Sequence, residues 1–415
     1  FFFIIRLNPF LSIILFLGNF CIYLSKYFII DNKGNKGTII FIVMRVCKRC
    51  IQPDTRPGIY FDKQGICGAC IWKEERKKID WKSRENELDN IAQWAKKTTV
   101  ANYDCVIGVS GGKDSTKQAL TARDRLGLRC LLVNYEPDCI TDLGRYNREN
   151  LRSLGFDMIT FRPNPKIMKK LIKRDFYNYL NPIRPTEFCL VACTYVISDK
   201  FDIPLIIQGE NAGLTLGTRL TGLGTDSNCI KANELHTISA GVKEYTEIEG
   251  VEEKDLFFHH YDRSSLEKKN FRGIWLNYFL KEWSSPANAE FAIQHGMHER
   301  PEPFDPSSIG TYAKNVQLDT DLTQVNQLLK YIKLGFGQCM DTACYDIIED
   351  RITRDEAIDL VRKYDGKCSE SYIENFCKYI DISQKEFWSV AERFRGSMWK
   401  KDEKNNWYNT IWDLL

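Results

Sequence analysis

The chain has 415 residues, 43% hydrophobic and 27% charged, which makes it too long for one ordinary domain and too apolar to be disordered. Its formal net charge of +3 arises in the first 43 residues, where Arg6, Lys26, Lys33 and Lys36 face only Asp31. The rest of the chain balances to zero, which excludes a global basic field for nucleic acid. Fifteen cysteines, four of them in two CxxC pairs, do not make a secreted disulfide scaffold and point to a reducing, cytoplasmic setting with a metal site.

Residues 1–43 are strongly apolar, with 19 uncharged residues between Arg6 and Lys26. Two readings stand: a hydrophobic anchor, or translated upstream sequence preceding a start at Met44. The second is preferred, because the stretch is dominated by Phe, Ile, Leu, Asn, Lys and Tyr and has no Met before Met44.

Cys47-x2-Cys50 and Cys67-x2-Cys70 follow, separated by 16 residues, which is zinc-ribbon spacing. Four thiolates saturate a tetrahedral ion, so Cys47, Cys50, Cys67 and Cys70 predict a structural Zn2+ at 44–75, with iron as the lesser alternative. A hairpin with a strand at 59–61 is expected to join the knuckles. Residues 76–100, rich in Glu, Lys and Arg, read as a helical connector.

A β-branched strand over 103–109 runs into Ser110-Gly111-Gly112-Lys113-Asp114-Ser115 and then a helix over 115–126. Strand, glycine-rich turn and helix make an anion site. The spacing is not that of a Walker loop. Strands over 131–134, 158–161 and 204–208 alternate with helices over 142–154, 167–180 and 190–201, predicting a parallel α/β domain at 101–260. The last strand leads to Gly209-Glu210-Asn211, which should share the strand C-terminal edge with SGGKDS. Glu210 is placed to bind Mg2+, to orient a substrate or simply to cap a turn.

SGGKDS resembles the PP-loop of the ATP pyrophosphatases, enzymes of the adenine nucleotide alpha hydrolase-like fold that adenylate a carbonyl or amide oxygen and release pyrophosphate. By that resemblance Ser110, Gly111, Gly112, Asp114 and Ser115 hold pyrophosphate and its Mg2+, and Lys113 occupies the variable position. A wider set of motifs is similar to the N-acetyl sugar amidotransferases of lipopolysaccharide and surface-glycan biosynthesis: CKRCIQPDTRPGIYFDKQGIC (47–67), YDCVIGVSGGKDS (103–115), LGFDMITFRPNP (154–165), IPLIIQGEN (203–211), YIKLGFGQCMDTACYDI (331–347) and RITRDEAIDLVRKYDG (351–366). The resemblance runs from Met44 to Leu415. It implies an α/β PP-loop sheet with helices on both faces, an N-terminal zinc ribbon and a mainly helical C-terminal region at 261–415. It further implies catalytic roles for Lys113, Asp114, Glu210 and Asn211, the use of ATP and Mg2+, and a nucleotide-linked N-acetyl sugar as substrate. Partners would be separate glutaminase and cyclase-like subunits that deliver ammonia, in keeping with the lack of a Cys–His pair in a nucleophile elbow. Nucleic acid and membrane are not expected partners, residues 1–43 aside. Two stretches differ from the family pattern: Gln338-Cys339-Met340-Asp341, where Arg is expected after GFG, and Ala212–Gly217.

The competing function is a PP-loop tRNA-thiolation enzyme, for which Cys189 and Cys193, with Cys229 as a third ligand, would hold an iron–sulfur cluster; packing in the core is the preferred reading. Lys166, Lys169, Lys170, Lys173 and Arg174 form a helical stripe, either a solvated face or a grip for a diphosphate. His259 with His260, and His295 with His298, read as surface or structural. Residues 271–283 read as a packed aromatic region, and Thr353-x-x-Glu356 and Ser383-x-x-Glu386 as capping boxes.

Overall fold

The computed structural model describes residues 12–17, 20–30, 36–218, 227–230 and 242–415, those before 44 by backbone alone. Strands β1 (Ser12–Leu17), β2 (Phe20–Ile30) and β3 (Lys36–Val43) pair antiparallel in that order. No described helix is long and apolar enough to cross a membrane.

A five-stranded sheet lies at the centre of the α/β unit: β4 (Cys105–Gly108), β5 (Cys130–Tyr135), β6 (Asp157–Phe161), β7 (Leu205–Gln208) and β8 (Arg272–Trp275). The order is β6-β5-β4-β7-β8 and every pairing is parallel. The fifth strand lies beyond residue 260, where the sequence had placed the end of this unit. Its four residues, Arg-Gly-Ile-Trp, are too few and too mixed to stand out within an aromatic stretch.

Both faces of the sheet are covered, which is why its central strands β4, β5 and β7 are nearly continuous apolar runs. Cys105, Ile107 and Leu132 pack with Leu88, Ile91 and Leu151 of α2 (Trp81–Thr98) and α4 (Asp142–Ser153). Val106, Leu131 and Val133 face the other way, onto α5 (Pro165–Tyr179) and α6 (Arg184–Phe201). Helix α6 starts six residues before the expected 190, because Pro185 sits in its first turn, where proline costs no hydrogen bond. Helix α3 (Lys113–Leu120) widens into a π turn over Thr121–Arg125.

The second CxxC pair opens α1 (Gly68–Arg76), and Asp80 caps α2 four residues later, so the connector is two helices. No strand joins the knuckles among the described residues. Ile59 bridges Thr218 and Phe61 bridges Cys67 as isolated pairs, and this replaces the expected hairpin.

After β8 the chain is mainly helical, as expected. Following α7 (Ala212–Thr215) and α8 (Arg263–Lys268) come α9 (Ser285–Gln294), α10 (Pro306–Ile309), α11 (Leu322–Leu334), α12 (Gln338–Ile348), α13 (Arg354–Tyr364), α14 (Glu370–Tyr379) and α15 (Gln384–Arg393). A short hairpin, β9 (Trp399–Lys401) with β10 (Trp407–Asn409), ends it. Phe176 of α5 stacks on Phe387 at 5.4 Å and meets Phe376 edge-on at 5.3 Å, which fastens α14 and α15 to the α/β unit. Part of the basic stripe of α5 serves the same docking, since Lys169 pairs with Asp381 at 2.5 Å and Lys173 donates to the Asp381 carbonyl, while Lys170 donates to the Glu249 carbonyl and Arg174 pairs with Glu244 at 3.0 Å. The stripe does not line the cavity at Ser110–Ser115. Of the two capping boxes, Thr353–Glu356 is complete. At the other, Ser383 accepts from the Glu386 N–H, but the Glu386 carboxylate takes the Tyr177 hydroxyl instead.

Helix α12 is held at its N-terminus by one buried side chain. Asp365 accepts the N–H of Gly337 at 2.8 Å, of Cys339 at 2.9 Å and of Met340 at 3.3 Å. Asp365→Ala leaves three buried donors without an acceptor and should lower stability by about 3 kcal/mol or more, read by urea unfolding, whereas Asp365→Asn, which keeps one carbonyl oxygen, should cost less.

Candidate active site

In a sheet of this order the crossovers run in opposite directions from β4 and β7, and a crevice opens at their C-terminal ends. The segment after β4 is Ser110–Ser115 and the segment after β7 is Gly209–Asn211, so the two predicted motifs meet there. Gly111 has φ +86°, and a Cβ on it would lie 2.6 Å from the Arg148 backbone nitrogen, so only glycine lets the turn press against α4. The hydroxyls brace the turn from within: Gly111 N–H donates to Ser115 Oγ at 3.2 Å, Ser115 Oγ donates to the Gly112 carbonyl at 3.0 Å, and Gly112 N–H donates to Ser110 Oγ at 3.3 Å. The first turn of α3 then presents backbone N–H groups and the positive end of its dipole to the cavity.

That cavity has a volume of ≈ 280 Å³. Its floor is Ser110–Ser115 with Asn147 of α4; its opposite wall is Gln338, Thr342 and Tyr345 of α12; its edge is a strap at 315–319. Arg300 holds the strap by donating to the carbonyls of Val316 at 2.6 Å and Gln317 at 2.7 Å. The strap also rests on the segment after β5: Thr141 N–H donates to the Asp319 carbonyl at 3.0 Å. A Cβ on Gly144 would lie 2.7 Å from the Asp319 Cα. The Gln317 amide donates to Gln338 Oε1, which joins strap to wall.

Asp114 is gripped from two sides, by Lys113 Nζ at 2.5 Å and by Asn288 Nδ2 of α9 at 2.8 Å. Burial pulls the Lys113 ammonium down, but Asp114 beside it and Glu210 beyond hold it above its ordinary value. Glu210 is solvent-accessible within the cleft yet walled by protein. That desolvation, with the Asp114 charge adding to it, pushes its carboxyl up to about 7 against the opposing pull of Lys113 and a hydrogen bond from Thr215.

Asn211 is buried and faces a turn rather than the cavity. Its Oδ1 accepts the Gly213 N–H at 2.8 Å, and its own N–H donates to Asn277 Oδ1 at 3.1 Å. Asn277 also donates its N–H to the Gly209 carbonyl at 3.0 Å, so the turn after β8 fixes the Glu210 loop. The wall residues Gln338, Thr342 and Tyr345 did not emerge from the sequence as site residues. Their i, i+4, i+7 spacing marks them as one helical face, but not what that face meets.

The four cysteines converge. Cys47, Cys50, Cys67 and Cys70 are fully buried and their sulfurs lie within 4.8 Å of one another. Cys47–Cys70 is 3.9 Å and Cys50–Cys67 is 3.6 Å. A tetrahedral zinc with Zn–S bonds of about 2.3 Å needs sulfurs about 3.8 Å apart, so the set fits that ion. Backbone N–H groups of Cys67 and Gln52 donate to the sulfurs of Cys47 at 3.2 Å and Cys50 at 3.4 Å, as suits thiolates. Among the described residues no other group of three or more His, Cys, Asp or Glu side chains is close enough to hold a metal. Cys189 and Cys193 pack in the main core and Cys229 in a separate small cluster. His295 Nδ1 meets the Phe291 carbonyl at 2.7 Å and His298 stacks on Tyr146 at 4.0 Å.

Two outcomes follow from this geometry. Elemental analysis of the purified chain should find one zinc per polypeptide, and Cys47→Ser should lose it together with a lower melting temperature. The second concerns Glu210, whose folded pKa lies above its ordinary 4.5, so that ionising it opposes folding from about pH 4.5 up to about pH 7. Without nucleotide or divalent cation, Glu210→Gln should therefore raise the melting temperature at pH 8 and leave it nearly unchanged at pH 4.5.

Comparison with known proteins adds three findings. No curated protein matches the chain. The solved structure of NMN synthetase from Francisella tularensis aligns at 14% identity over 55% of this chain and 100% of that one, with a TM-score of 0.26. Residues 306–413, from α10 to the turn just after the hairpin and so including the α12 wall of the cavity, match the family model described as "LPS biosynthesis protein WbpG-like, C-terminal domain".

Proposed function

We propose that this chain is an ATP-dependent amidotransferase of surface-glycan biosynthesis, converting the acetamido group of a nucleotide-linked N-acetyl sugar to an acetamidino group. The observation that carries the proposal is a juxtaposition: the SGGKDS turn faces, across one cavity, the wall supplied by the WbpG-like region. An amide oxygen is a poor leaving group, so its replacement needs activation. The amide oxygen attacks the α-phosphorus of ATP, the bond to the β-phosphate breaks, and pyrophosphate leaves. The resulting O-adenylyl imidate is attacked at carbon by ammonia, and AMP departs.

The chain's share is positioning and charge. The turn and the N-terminus of α3 hold the phosphates. Asp114 and Glu210 are the carboxylates that fit a Mg2+ ion, which would neutralise phosphate charge. Lys113 and Asn288 fix Asp114, and Asn211 fixes the Glu210 loop. The four-cysteine site is structural. Ammonia is drawn from separate subunits.

The test is turnover of purified protein with ATP, Mg2+ and an ammonium salt against a panel of nucleotide-linked N-acetyl sugars, with bulk tRNA alongside. AMP and pyrophosphate should appear only with a sugar acceptor, and the product should be lighter by the difference between O and NH. Asp114→Asn should lower kcat by about 10²–10³-fold. Turnover with tRNA alone would overturn the proposal in favour of thiolation.

A further inference from the structure

The N-terminal edge of the sheet, opposite the cleft, carries a thiol pair that the proposed reaction does not use. Cys105 opens β4 and Cys130 opens β5, and the two are direct partners in the parallel ladder. Their sulfurs lie 3.5 Å apart. The residues just before the strands hold them in place. Arg129 donates to the Asp104 carboxylate from Nε at 3.2 Å, from Nη2 at 2.7 Å and from its backbone N–H at 2.8 Å. Asp104 N–H returns a bond to the Arg129 carbonyl at 2.8 Å.

The two thiols differ in access. Cys105 is fully buried, whereas Cys130 lines a surface cavity of ≈ 410 Å³ together with Tyr103, Arg123, Arg129, Phe156 and Asp157. None of the residues lining that cavity borders the one at Ser110–Ser115. Cys105 Sγ donates to Cys130 Sγ, which donates in turn to the Leu128 carbonyl at 3.3 Å. When Cys130 loses its proton, Cys105 therefore remains as a donor to the thiolate. Burial and the neighbouring sulfur push the Cys105 thiol well up, so it keeps its proton. We propose that Cys105 and Cys130 form a reversible dithiol–disulfide couple, with Cys130 the peroxide-accessible member and Cys105 the resolving one.

The ladder gives the spacing such a bond needs. Neighbouring strands run about 4.8 Å apart, within the Cα separation that a disulfide spans. The sulfurs must close by about 1.5 Å to reach bonding distance. Hydrogen peroxide, small and uncharged, is the oxidant. The Cys130 thiolate attacks one peroxide oxygen: the S–O bond forms, the O–O bond breaks, and the leaving hydroxide takes the proton that Cys130 released, giving water. The Cys105 sulfur then attacks the Cys130 sulfur: the S–S bond forms, the S–O bond breaks, and the hydroxide leaves with the Cys105 proton as a second water. The electron pair lost by the thiols is the pair gained by the peroxide. The bond fastens β4, the strand that leads into the Ser110–Ser115 turn, to its neighbour at the edge away from the cleft. The proposal stands apart from the amidotransferase reading, since no residue of the cleft takes part.

The test uses the full-length protein, reduced and then freed of reductant. It is treated with about one equivalent of hydrogen peroxide, its remaining thiols are alkylated under denaturing conditions, and the peptides are read by mass spectrometry. A cross-linked pair joining Cys105 to Cys130, lighter by a hydrogen pair than the two free peptides and parted again by dithiothreitol, should form in about half of the molecules or more. In Cys105→Ser the sulfenic acid should persist on Cys130 and be trapped by dimedone. In Cys130→Ser the buried Cys105 should stay reduced under the same treatment. The wild-type cross-link needs no variant and so decides the matter even if serine is not tolerated in the core. If both cysteines are still fully alkylated after about a tenfold excess of peroxide, or if Cys105 is oxidised as readily in Cys130→Ser as in the wild type, the proposal is overturned.

Discussion

The parallel pairing of β4 with β7, Cys105 beside Leu205 and Ile107 beside Ile207, is the constraint on which the cleft depends. The two strands are distant in sequence and both end at the same edge, so SGGKDS and Gly209–Asn211 are brought abreast. The register is fixed by burial on both faces. A slip of one residue would exchange Val106, which faces α5 and α6, with Cys105 and Ile107, which face α2 and α4. Gln118 of α3 adds a cross-tie by donating to the Ile207 carbonyl at 2.6 Å, so the helix that follows the SGGKDS turn is bound to the strand that leads to Glu210.

The opposite wall depends on a different anchor. Helix α12 is seated between the α/β unit and the cysteine module, and its buried face, Cys339, Met340, Ala343 and Cys344, packs in one core with Cys47, Cys50, Cys67 and Cys70. Asp341 on the same helix binds Arg56 from the knuckle loop and Lys330 of α11 at 2.7 Å. Arg354 donates to the Cys50 carbonyl at 3.3 Å and to the Leu415 carbonyl at 2.7 Å. The four-cysteine centre is thus no appendage: through α12 it sets where Gln338, Thr342 and Tyr345 stand against the phosphate turn. Partly buried charges such as Asp341 are retained only when paired on every side, and here two cations do so.

The parts of this arrangement that were legible in the sequence are those encoded by short spacing. The CxxC pairs and the SGGKDS turn could be placed from a few residues each, because the geometry they need is local. The alternation of strands and helices was legible for the same reason. What escaped was either short or non-local. Strand β8 has four residues and lies after a long excursion from β7, yet its turn supplies Asn277, which holds the Glu210 loop. The Lys169–Asp381 pair joins residues some two hundred positions apart, so the stripe could be seen but not its use. Asn211 carried a polar side chain in the right segment, but its amide serves the helix cap, a local use that competes with any ligand. Glu386 fits the capping-box spacing, but a tyrosine from α5 takes its carboxylate.

On the proposed reading, the charges around the large cavity explain why the turn alone would not be the whole phosphate site. Among the described lining residues Lys113 is the one cation, set against Asp114 and Asp319, with Glu210 adjoining. Lys113 is already engaged with Asp114 at 2.5 Å, so it brings no unspent positive charge to a polyphosphate. The wall adds none, since Gln317, which donates its amide to Gln338 Oε1, and Gln338, which donates its own to Thr342, are both neutral. Side chains therefore leave a triphosphate facing an acidic cleft, and the favourable terms that remain are the backbone N–H groups at the start of α3 and whatever cation the carboxylates hold. In a Walker loop the lysine itself reaches the phosphates. Here the lysine is committed to an aspartate, so on the proposed reading the carboxylates would take over as the seat of a divalent ion, and the charge balance of the site would shift from the protein to the metal–nucleotide pair.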